Sequence, residues 1–488
     1  MISMGKRSNE MLLRLSRNAF VRQYGPFTYV LGRIRNYDQM FIDAEVFFRW
    51  LTRTPEESSL ILEKILNEYP TANKAEIEED FVQLMNLLIE QHIAVSGSTV
   101  QELDSKDERF TYDVENPKTK NARVIERLEY LDVPIPQNVL DKYFNDNPTI
   151  FTLQLDITQA CTERCVHCYM PEYKTIHLPF EKIREIIDEF RLQGGIQLSL
   201  SGGECMLHPE FKEIIKYARQ QDLIVCILSN LTLCNDDMVK LLYDADVVVQ
   251  VSLYSMNPIT HDRITRREGS FRETTDAIER LRHADVPCFI SCPTMKTNYK
   301  DYLDVLAYAR RLKMDAQTDF IIMGKMNGDT SNLSCRLDLN ETRYVLEDVI
   351  LRSVPMNSEY FNPGKKEEMP SDEEWGKNRV CGACISSICC DAVGDYYPCP
   401  AFGGVVLGNC YEHDLKWIWT QSPETIRIRN VKGRDFPKCI HCRERNYCSV
   451  CMCRNYNETG NMFVPSQHFC NVAKLNHEVV AEKQRGYD

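Results

Sequence analysis

The stretch Leu153-Gln-Leu-Asp-Ile-Thr-Gln-Ala-Cys161-Thr-Glu-Arg-Cys165-Val-His-Cys168-Tyr169 constrains this 488-residue chain most, because an apolar strand runs straight into three closely spaced cysteines. Three thiolates on one tight loop do not complete a tetrahedral zinc site, but they can hold three irons of a cubane and leave the fourth free. A zinc knuckle completed from elsewhere, or three unrelated cysteines, would show the same spacing, so context has to decide. Further on, Leu198-Ser-Leu-Ser-Gly202-Gly203-Glu204 reads as a second buried strand ending in two glycines and a carboxylate. Glycines there let the backbone approach a ligand closely. A plain strand-to-helix turn would account for the glycines alone.

From Thr149 the chain alternates strand and helix. Strands are expected near 151–157, 196–201, 223–229, 247–253, 287–293 and 318–323, with helical spans such as Phe180 to Gln193, Pro209 to Gln220 and Phe271 to Ala284 between them. Such an alternation implies parallel strands joined by right-handed crossovers, and hence an open or partial barrel. Functional loops then belong at the carboxyl ends of the strands, where Cys161, Gly202, Asn230 and Ser252 all fall. Asn230 and Ser252 are candidate ligand contacts, although a polar residue at a strand end also serves as a cap.

The C-x3-C-x2-C loop, with the aromatic His167 before its last cysteine, followed by Gly202-Gly203-Glu204, resembles the radical S-adenosylmethionine (SAM) enzymes. The resemblance implies an α/β chain with a partial (β/α)6 TIM-like barrel at residues 149–340. Cys161, Cys165 and Cys168 would be catalytic, holding a [4Fe-4S] cluster whose open iron chelates SAM. His167, Gly202, Gly203, Glu204, Asn230 and Ser252 would contact the cofactor, and the acceptor-only carboxylate of Glu204 suits the SAM ammonium. The chemistry implied is reductive cleavage of SAM to a 5′-deoxyadenosyl radical, fed by a flavodoxin- or ferredoxin-type electron donor. His261-Asp262 with Gly269-Ser-Phe resembles the segment after the fourth strand in that family and is given no catalytic role.

Cysteine usage points to a second metal-bearing region. The chain has 21 cysteines, a net charge of -13, and no apolar run of spanning length or signal-peptide core. A cytoplasmic location is expected, where disulfides do not persist and metal ligation is favoured. No basic tract dominates, so neither nucleic acid nor membrane is an expected partner. Twelve cysteines lie between Cys381 and Cys470, whereas Cys205, Cys226, Cys234, Cys288, Cys292 and Cys335 are scattered through apolar runs as ordinary buried residues.

Cys381-Gly-Ala-Cys384, Gly394-Asp-Tyr-Tyr-Pro-Cys399, Cys439-x2-Cys442-x5-Cys448-x2-Cys451-Met-Cys453 and Cys470 together resemble the SPASM domain, here residues 381–488. That resemblance implies two auxiliary [4Fe-4S] clusters, making three in all. Cys439, Cys442, Cys448 and Cys470 would hold one. Cys381, Cys399 and either Cys451 or Cys453 would hold the other, with Cys451 favoured and Cys384 as a fourth ligand unless an iron is left open. Departure from the usual spacing after Cys448 keeps that choice open, and tetrahedral zinc sites remain chemically legal.

Residues 1–100 contain no cysteine. Phe20 to Tyr24 and Phe27 to Ile34 flank a Gly-Pro turn as a hairpin, Met40 to Asp43 can add a third strand, and helices are expected over Asp43–Thr52, Pro55–Tyr69 and Ala72–His92 before Ile93-Ala-Val-Ser closes a small sheet. This order resembles the winged-helix-like leader-binding domain, similar to the chaperone of pyrroloquinoline quinone biosynthesis, that accompanies peptide-modifying radical SAM enzymes. Acidic Glu76, Glu78, Glu79 and Asp80 on the third helix disfavour DNA. Residues 101–148 read as a linker with a helix near Pro136 to Phe144, and 341–380, with Pro355, Pro363, Gly364, Pro370 and Lys365-Lys-Glu-Glu, as a bridge.

Leader domain, radical SAM barrel and SPASM domain in that order imply a maturase of a ribosomally made precursor peptide. A thioether crosslink from a cysteine sulfur to carbon is the favoured product. Carbon–carbon crosslinking is one alternative. Epimerisation is another, with Cys384, Cys389, Cys390 or Cys410 returning hydrogen. An inactive iron–sulfur redox or regulatory protein is a further reading.

Overall fold

The computed structural model describes residues 11–34, 37–111, 136–353 and 370–485. Lys365-Lys-Glu-Glu, Pro355, Pro363 and Gly364 lie outside the described residues, as does linker segment 112–135.

Six parallel strands carry the centre of the molecule: β7 (Thr152–Thr158), β8 (Gln197–Gly202), β9 (Ile224–Ser229), β10 (Val248–Ser252), β11 (Cys288–Pro293) and β12 (Asp315–Asp319). They lie side by side in chain order, as successive right-handed crossovers dictate. Side chains alternate across each strand, so one face of the sheet is apolar and the other polar. Leu153, Leu155 and Ile157 of β7 are fully buried with Leu198 and Leu200 of β8 against Ile183, Ile186, Ile187 and Phe190 of the helix Phe180–Leu192. Gln154 and Asp156, and their register partners Ser199 and Ser201, line the opposite, concave face.

The sixth strand departs from expectation. The apolar run Phe320-Ile-Ile-Met lies beyond the strand, and the polar segment Asp315–Asp319 pairs with β11 instead. As the outermost strand it buries little, so its hydrophobicity is no guide to it. Ile322, 3% exposed, packs beside Tyr254, Ile264 and Met295.

Two small sheets precede the barrel. β2 (Ala19–Tyr24), β3 (Phe27–Gly32) and β4 (Tyr37–Ile42) form an antiparallel meander, the expected hairpin plus a third strand. Ala94–Gly97 (β6) closes a different sheet, ordered β5-β1-β6, with β1 (Leu12–Leu15) and β5 (Glu56–Glu57). Leu13 and Leu15 of β1 bury against Ile61 and Ile65 of the helix Ser58–Glu68 and Phe81, Met85 and Leu88 of the helix Lys74–Glu90.

The meander covers the amino-terminal ends of the parallel strands of this open, partial barrel, opposite the cysteine loop. Phe20, Tyr24 and Tyr29 pack with Phe144 of the helix Pro136–Asp146 and with Ile196 and Ile224 at the entries to β8 and β9. Arg22, 3% exposed, fixes the contact. Its guanidinium donates to the Gly195 carbonyl (2.8 Å), the Asp222 carboxylate (2.9 Å) and the Asp222 carbonyl (2.5 Å).

At the other edge β13 (Ser387–Cys390) adds parallel to β7, and β14 (Asp395–Tyr397) and β15 (Gly408–Asn409) follow antiparallel, giving nine strands. The cysteine-rich region is thereby welded into the barrel sheet. A bidentate ion pair between buried Arg336 and Glu458 (2.6 and 3.2 Å) adds a second tie. Among the described residues no helix is long and apolar enough to cross a membrane.

Replacing Arg22 by Ala leaves one buried and one part-buried carbonyl without this donor, at about 1–3 kcal/mol each. Arg22→Ala should lower stability by roughly 3 kcal/mol in urea unfolding, with early proteolytic release of the N-terminal segment. An unchanged midpoint would show that the meander is held by its aromatic contacts alone.

Candidate functional site

The cysteine loop is held at the carboxyl ends of the strands by groups far apart in sequence. Backbone N–H groups of Arg164 and Val166 donate to the carbonyls of Thr265 (2.9 Å) and Ile264 (2.9 Å), at the end of the helix Pro258–Thr265. Those are carbonyls that a helix terminus leaves unpaired. The side-chain amide of Asn332 donates to the carbonyls of His167 (3.1 Å), Cys168 (3.3 Å) and Met323 (2.8 Å), clamping the loop's far end. Sequence reading missed Asn332, since 164 residues separate it from Cys168 and no local pattern marks it.

Gly202 and Gly203 lie where β8 crosses the end of β7. A Cβ at either would stand 2.2 Å from a carbonyl oxygen, that of Thr158 or Ala160, and Gly202 has φ +119°. Glu204 is fully buried. Its carboxylate accepts from the backbone N–H of Asn230 (2.9 Å) and of Met206 (3.1 Å), and from the Ser229 hydroxyl (2.8 Å). Burial pushes its carboxyl above the usual range, opposed by these donors. The expected acceptor for an ammonium is thus turned inward, and the glycine backbone is the part of the motif that stays partly exposed.

Asn230 joins the two motifs. Its amide donates to Thr162 Oγ1 (2.9 Å) and lies 3.9 Å from Cys161 Sγ. Ser252, at the end of β10, is within hydrogen-bonding reach of the Tyr254 hydroxyl. Tyr254 itself comes within 3.8 Å of Cys165 Sγ, and its ring meets that of His167 edge-on at 5.1 Å. His167 is held neutral by burial, its pKa down at about 4. Asp262 caps the helix Ser270–His283 through Gly269, Ser270 and Phe271, a structural task.

The loop's donor set suits a thiophilic cluster. Burial pushes the Cys161 thiol up to about 12, a cost that metal ligation of the thiolate removes. Glu163, 2% exposed, has one carboxylate oxygen beside the Cys165 thiol (3.3 Å) and the other buried without a partner. Burial lifts its pKa to about 7. His167 Nδ1 is likewise buried and unpartnered. Among the described residues no three His, Cys, Asp or Glu side chains meet around one point as a single ion would need.

In the C-terminal region, Cys439, Cys442, Cys448, Cys451 and Cys470 line one cavity of about 120 Å³. Cys453 is in hydrogen-bonding contact with both Cys399 and Cys451, and Cys381 lies near Cys399 and Cys451. Cys453 therefore stands between Cys399 and Cys451. Contact with Cys453 pulls the Cys451 thiol down to about 5, and contact with Cys399 pushes Cys453 up. Cys384 is buried at φ +60°, with Arg429 on its carbonyl (2.8 Å).

Two further cavities flank the loop. One, of about 280 Å³, lies between the loop and the β13–β14 hairpin and is lined by Asp156, Met170, Glu172, Cys389, Asp391 and Tyr397 among others. Burial raises Asp156 to about 6. The other, of about 620 Å³, opens on Cys165 and Cys168.

Comparison with known proteins gives a consistent picture. The model of the Radical SAM superfamily matches residues 155–309. The AdoMet-dependent heme synthase of Methanosarcina barkeri is 27% identical over 335 residues, covering 64% of this chain and 94% of that protein. The antilisterial bacteriocin subtilosin biosynthesis protein AlbA of Bacillus subtilis is 24% identical over 328 residues, covering 64% and 69%. In fold, the chain is similar to Streptococcus suis SuiB bound to precursor peptide SuiA, with a TM-score of 0.61 at 15% identity, covering 94% of this chain and 99% of that one.

Because Glu204 secures both Met206 and Asn230, Glu204→Gln turns an amide N–H₂ toward at least one backbone donor. Charged hydrogen bonds contribute about 1.5–3 kcal/mol each, so the variant should lose roughly 3 kcal/mol in denaturant unfolding. A loss under about 0.5 kcal/mol, the range of a surface change, would show that the loop does not depend on this carboxylate.

Proposed function

We propose that the chain is a radical SAM enzyme and, more closely, a maturase of a ribosomally made precursor peptide, forming a thioether between a cysteine sulfur and a carbon. The observation that carries the reading is the joining of a small α+β module, whose sheet edges are unpaired among the described residues, to a barrel bearing the three-cysteine loop. The relative that serves subtilosin biosynthesis and the peptide-bound fold neighbour support it. Residues 1–100 are assigned to leader binding, 149–340 to the radical SAM barrel and 381–488 to the SPASM domain, with 101–148 and 341–380 as connections.

A cluster on Cys161, Cys165 and Cys168, with SAM, supplies a 5′-deoxyadenosyl radical for hydrogen abstraction when bound. This chain's residues position and shield. Asn332 and the end of the helix Pro258–Thr265 fix the loop, Gly202 and Gly203 offer backbone polar groups, and Asn230 and Ser252 stand at neighbouring strand ends. Buried Tyr254 and half-buried His167 limit water beside Cys165. The cavity lined by Asp156, Cys389 and Tyr397 accommodates the reacting peptide segment. Cys439, Cys442, Cys448 and Cys470 would hold one auxiliary cluster, and Cys381, Cys399 and either Cys451 or Cys453 the other, with Cys384 as a fourth ligand.

Carbon–carbon crosslinking and epimerisation share this machinery and differ in the product's mass and connectivity. The heme synthase relative favours a second reading, a tetrapyrrole substrate, which has no use for a leader-binding edge.

Cys161→Ala/Cys165→Ala/Cys168→Ala should fold yet yield no 5′-deoxyadenosine from SAM under reduction. After anaerobic reconstitution iron should approach about twelve per chain and fall by about a third in the variant, at four irons per cluster. Undiminished cleavage would remove the catalytic assignment, and zinc in place of iron at the C-terminal cysteines would remove the SPASM one.

Deleting residues 1–100 should weaken precursor binding and slow modification while uncoupled SAM cleavage survives. Strand addition at a sheet edge supplies hydrogen bonds of about 1 kcal/mol each. Equal binding and modification by the truncated protein would refute leader recognition.

A further inference from the structure

The larger cavity beside the cysteine loop is basic in a chain of net charge -13. Arg164, Arg263, Arg266, Lys296 and Lys325 line it, and among the described residues no Asp or Glu does. Their charges are unequally used. Lys325 is paired with Asp329 (2.7 Å), and Arg164 donates to the carbonyls of Cys161 (2.8 Å) and Glu163 (2.6 Å) while lying over the Tyr173 ring. Lys296 reaches only the Ser334 carbonyl, at 3.5 Å. Arg263 and Arg266 are exposed and make no ion pair or side-chain hydrogen bond among the described residues. Arg266 stands at φ +56°, as the left-handed cap of the helix Pro258–Thr265.

Exposed cations kept unpaired at one concave face, on a protein that otherwise repels acidic partners, provide a steering field for an acidic one. Cys165 and Cys168 line the same cavity, so whatever seats there lies against the loop. The cavity of about 280 Å³ on the loop's other flank carries Asp156, Glu172 and Asp391, with Lys174 as its one cation among the described residues, paired with Glu172. That division of charge separates an acidic visitor from a peptide segment.

We propose that the face formed by Arg263, Arg266 and Lys296 docks an acidic, low-potential one-electron carrier protein that reduces the cluster held by Cys161, Cys165 and Cys168. The proposal rests on the radical SAM reading and adds to it the place and chemistry of the electron donor's contact. One electron passes per encounter: the carrier is oxidised by one, the cluster is reduced by one, and no atom is transferred.

The test uses the reconstituted full-length enzyme with an acidic flavodoxin kept reduced by its NADPH-dependent reductase, compared with dithionite, which needs no docking surface. Arg263→Glu/Arg266→Glu should raise the Kd for oxidised flavodoxin, measured by calorimetric titration, by at least about tenfold. It should raise the flavodoxin concentration for half-maximal 5′-deoxyadenosine formation in parallel, and flatten the salt dependence of both. Dithionite-driven cleavage should be unchanged. Equal flavodoxin binding in variant and wild type would overturn the proposal. So would an equal loss with both reductants, which would assign the arginines to SAM or to an acidic peptide segment. Failure of the underlying reading would look different, since wild-type enzyme would then form no 5′-deoxyadenosine even with dithionite.

Discussion

Two carbonyl oxygens, those of Thr158 and Ala160, set the geometry on which the site depends. β8 ends by crossing over them, with Gly203 N–H on the first (2.9 Å) and Glu204 N–H on the second (2.8 Å). At that separation no Cβ fits at either glycine, so the Gly-Gly pair is demanded by backbone crossing before any ligand is considered. The crossing drives Glu204 inward, where an unpaired carboxylate would be costly, and its acceptors are met by Met206, Ser229 and Asn230. Asn230, fixed through its backbone, extends its amide to Thr162 and Cys161. One close approach between strands thus propagates through a buried carboxylate to the loop that bears the cysteines.

The same sheet makes the three regions one unit. The meander covers the barrel end away from the loop, so the N-terminal segment is anchored by aromatic packing and by Arg22. At the other edge β13 pairs Cys389 with Gln154 and Cys390 with Leu155. Register is specified strongly wherever one face is buried, because a one-residue slip would turn Ile388 and Cys390 out of the core. The C-terminal cysteines therefore stand at fixed positions relative to the loop after β7, as chemistry shared between them would require.

What could be read from the chain follows from where burial writes a pattern. β7 to β11 carry apolar side chains that pack under helices, and their positions agree with expectation within a residue or two. β12, outermost and polar, carries no such pattern, and the apolar run after it was the stronger but misleading signal. β1 and β5 are short strands whose identity comes from pairing with each other, and β13 to β15 from pairing with β7 and among themselves. Local sequence cannot encode partners that distant. The site divides likewise: the cysteine loop and Gly202-Gly203-Glu204 are local motifs, whereas Tyr254, Asn332 and the basic face arise only when distant segments meet.

The choice between Cys451 and Cys453 shows why spacing alone could not settle a thiol's place. Cys451 is the cap of the helix Met452–Thr459, extended at φ -131°, and its sulfur accepts from the Arg454 N–H (3.5 Å). Cys453, in the first turn, is 2% exposed and points at Cys399 and the Met323 sulfur (3.8 Å). A residue just before a helix and one in its first turn can meet side by side, although they would diverge within a regular helix. With the Cys453 thiol donating and the helix amino terminus beside it, the Cys451 thiolate is favoured. Helix initiation between the two positions leaves Cys453 in contact with both Cys399 and Cys451.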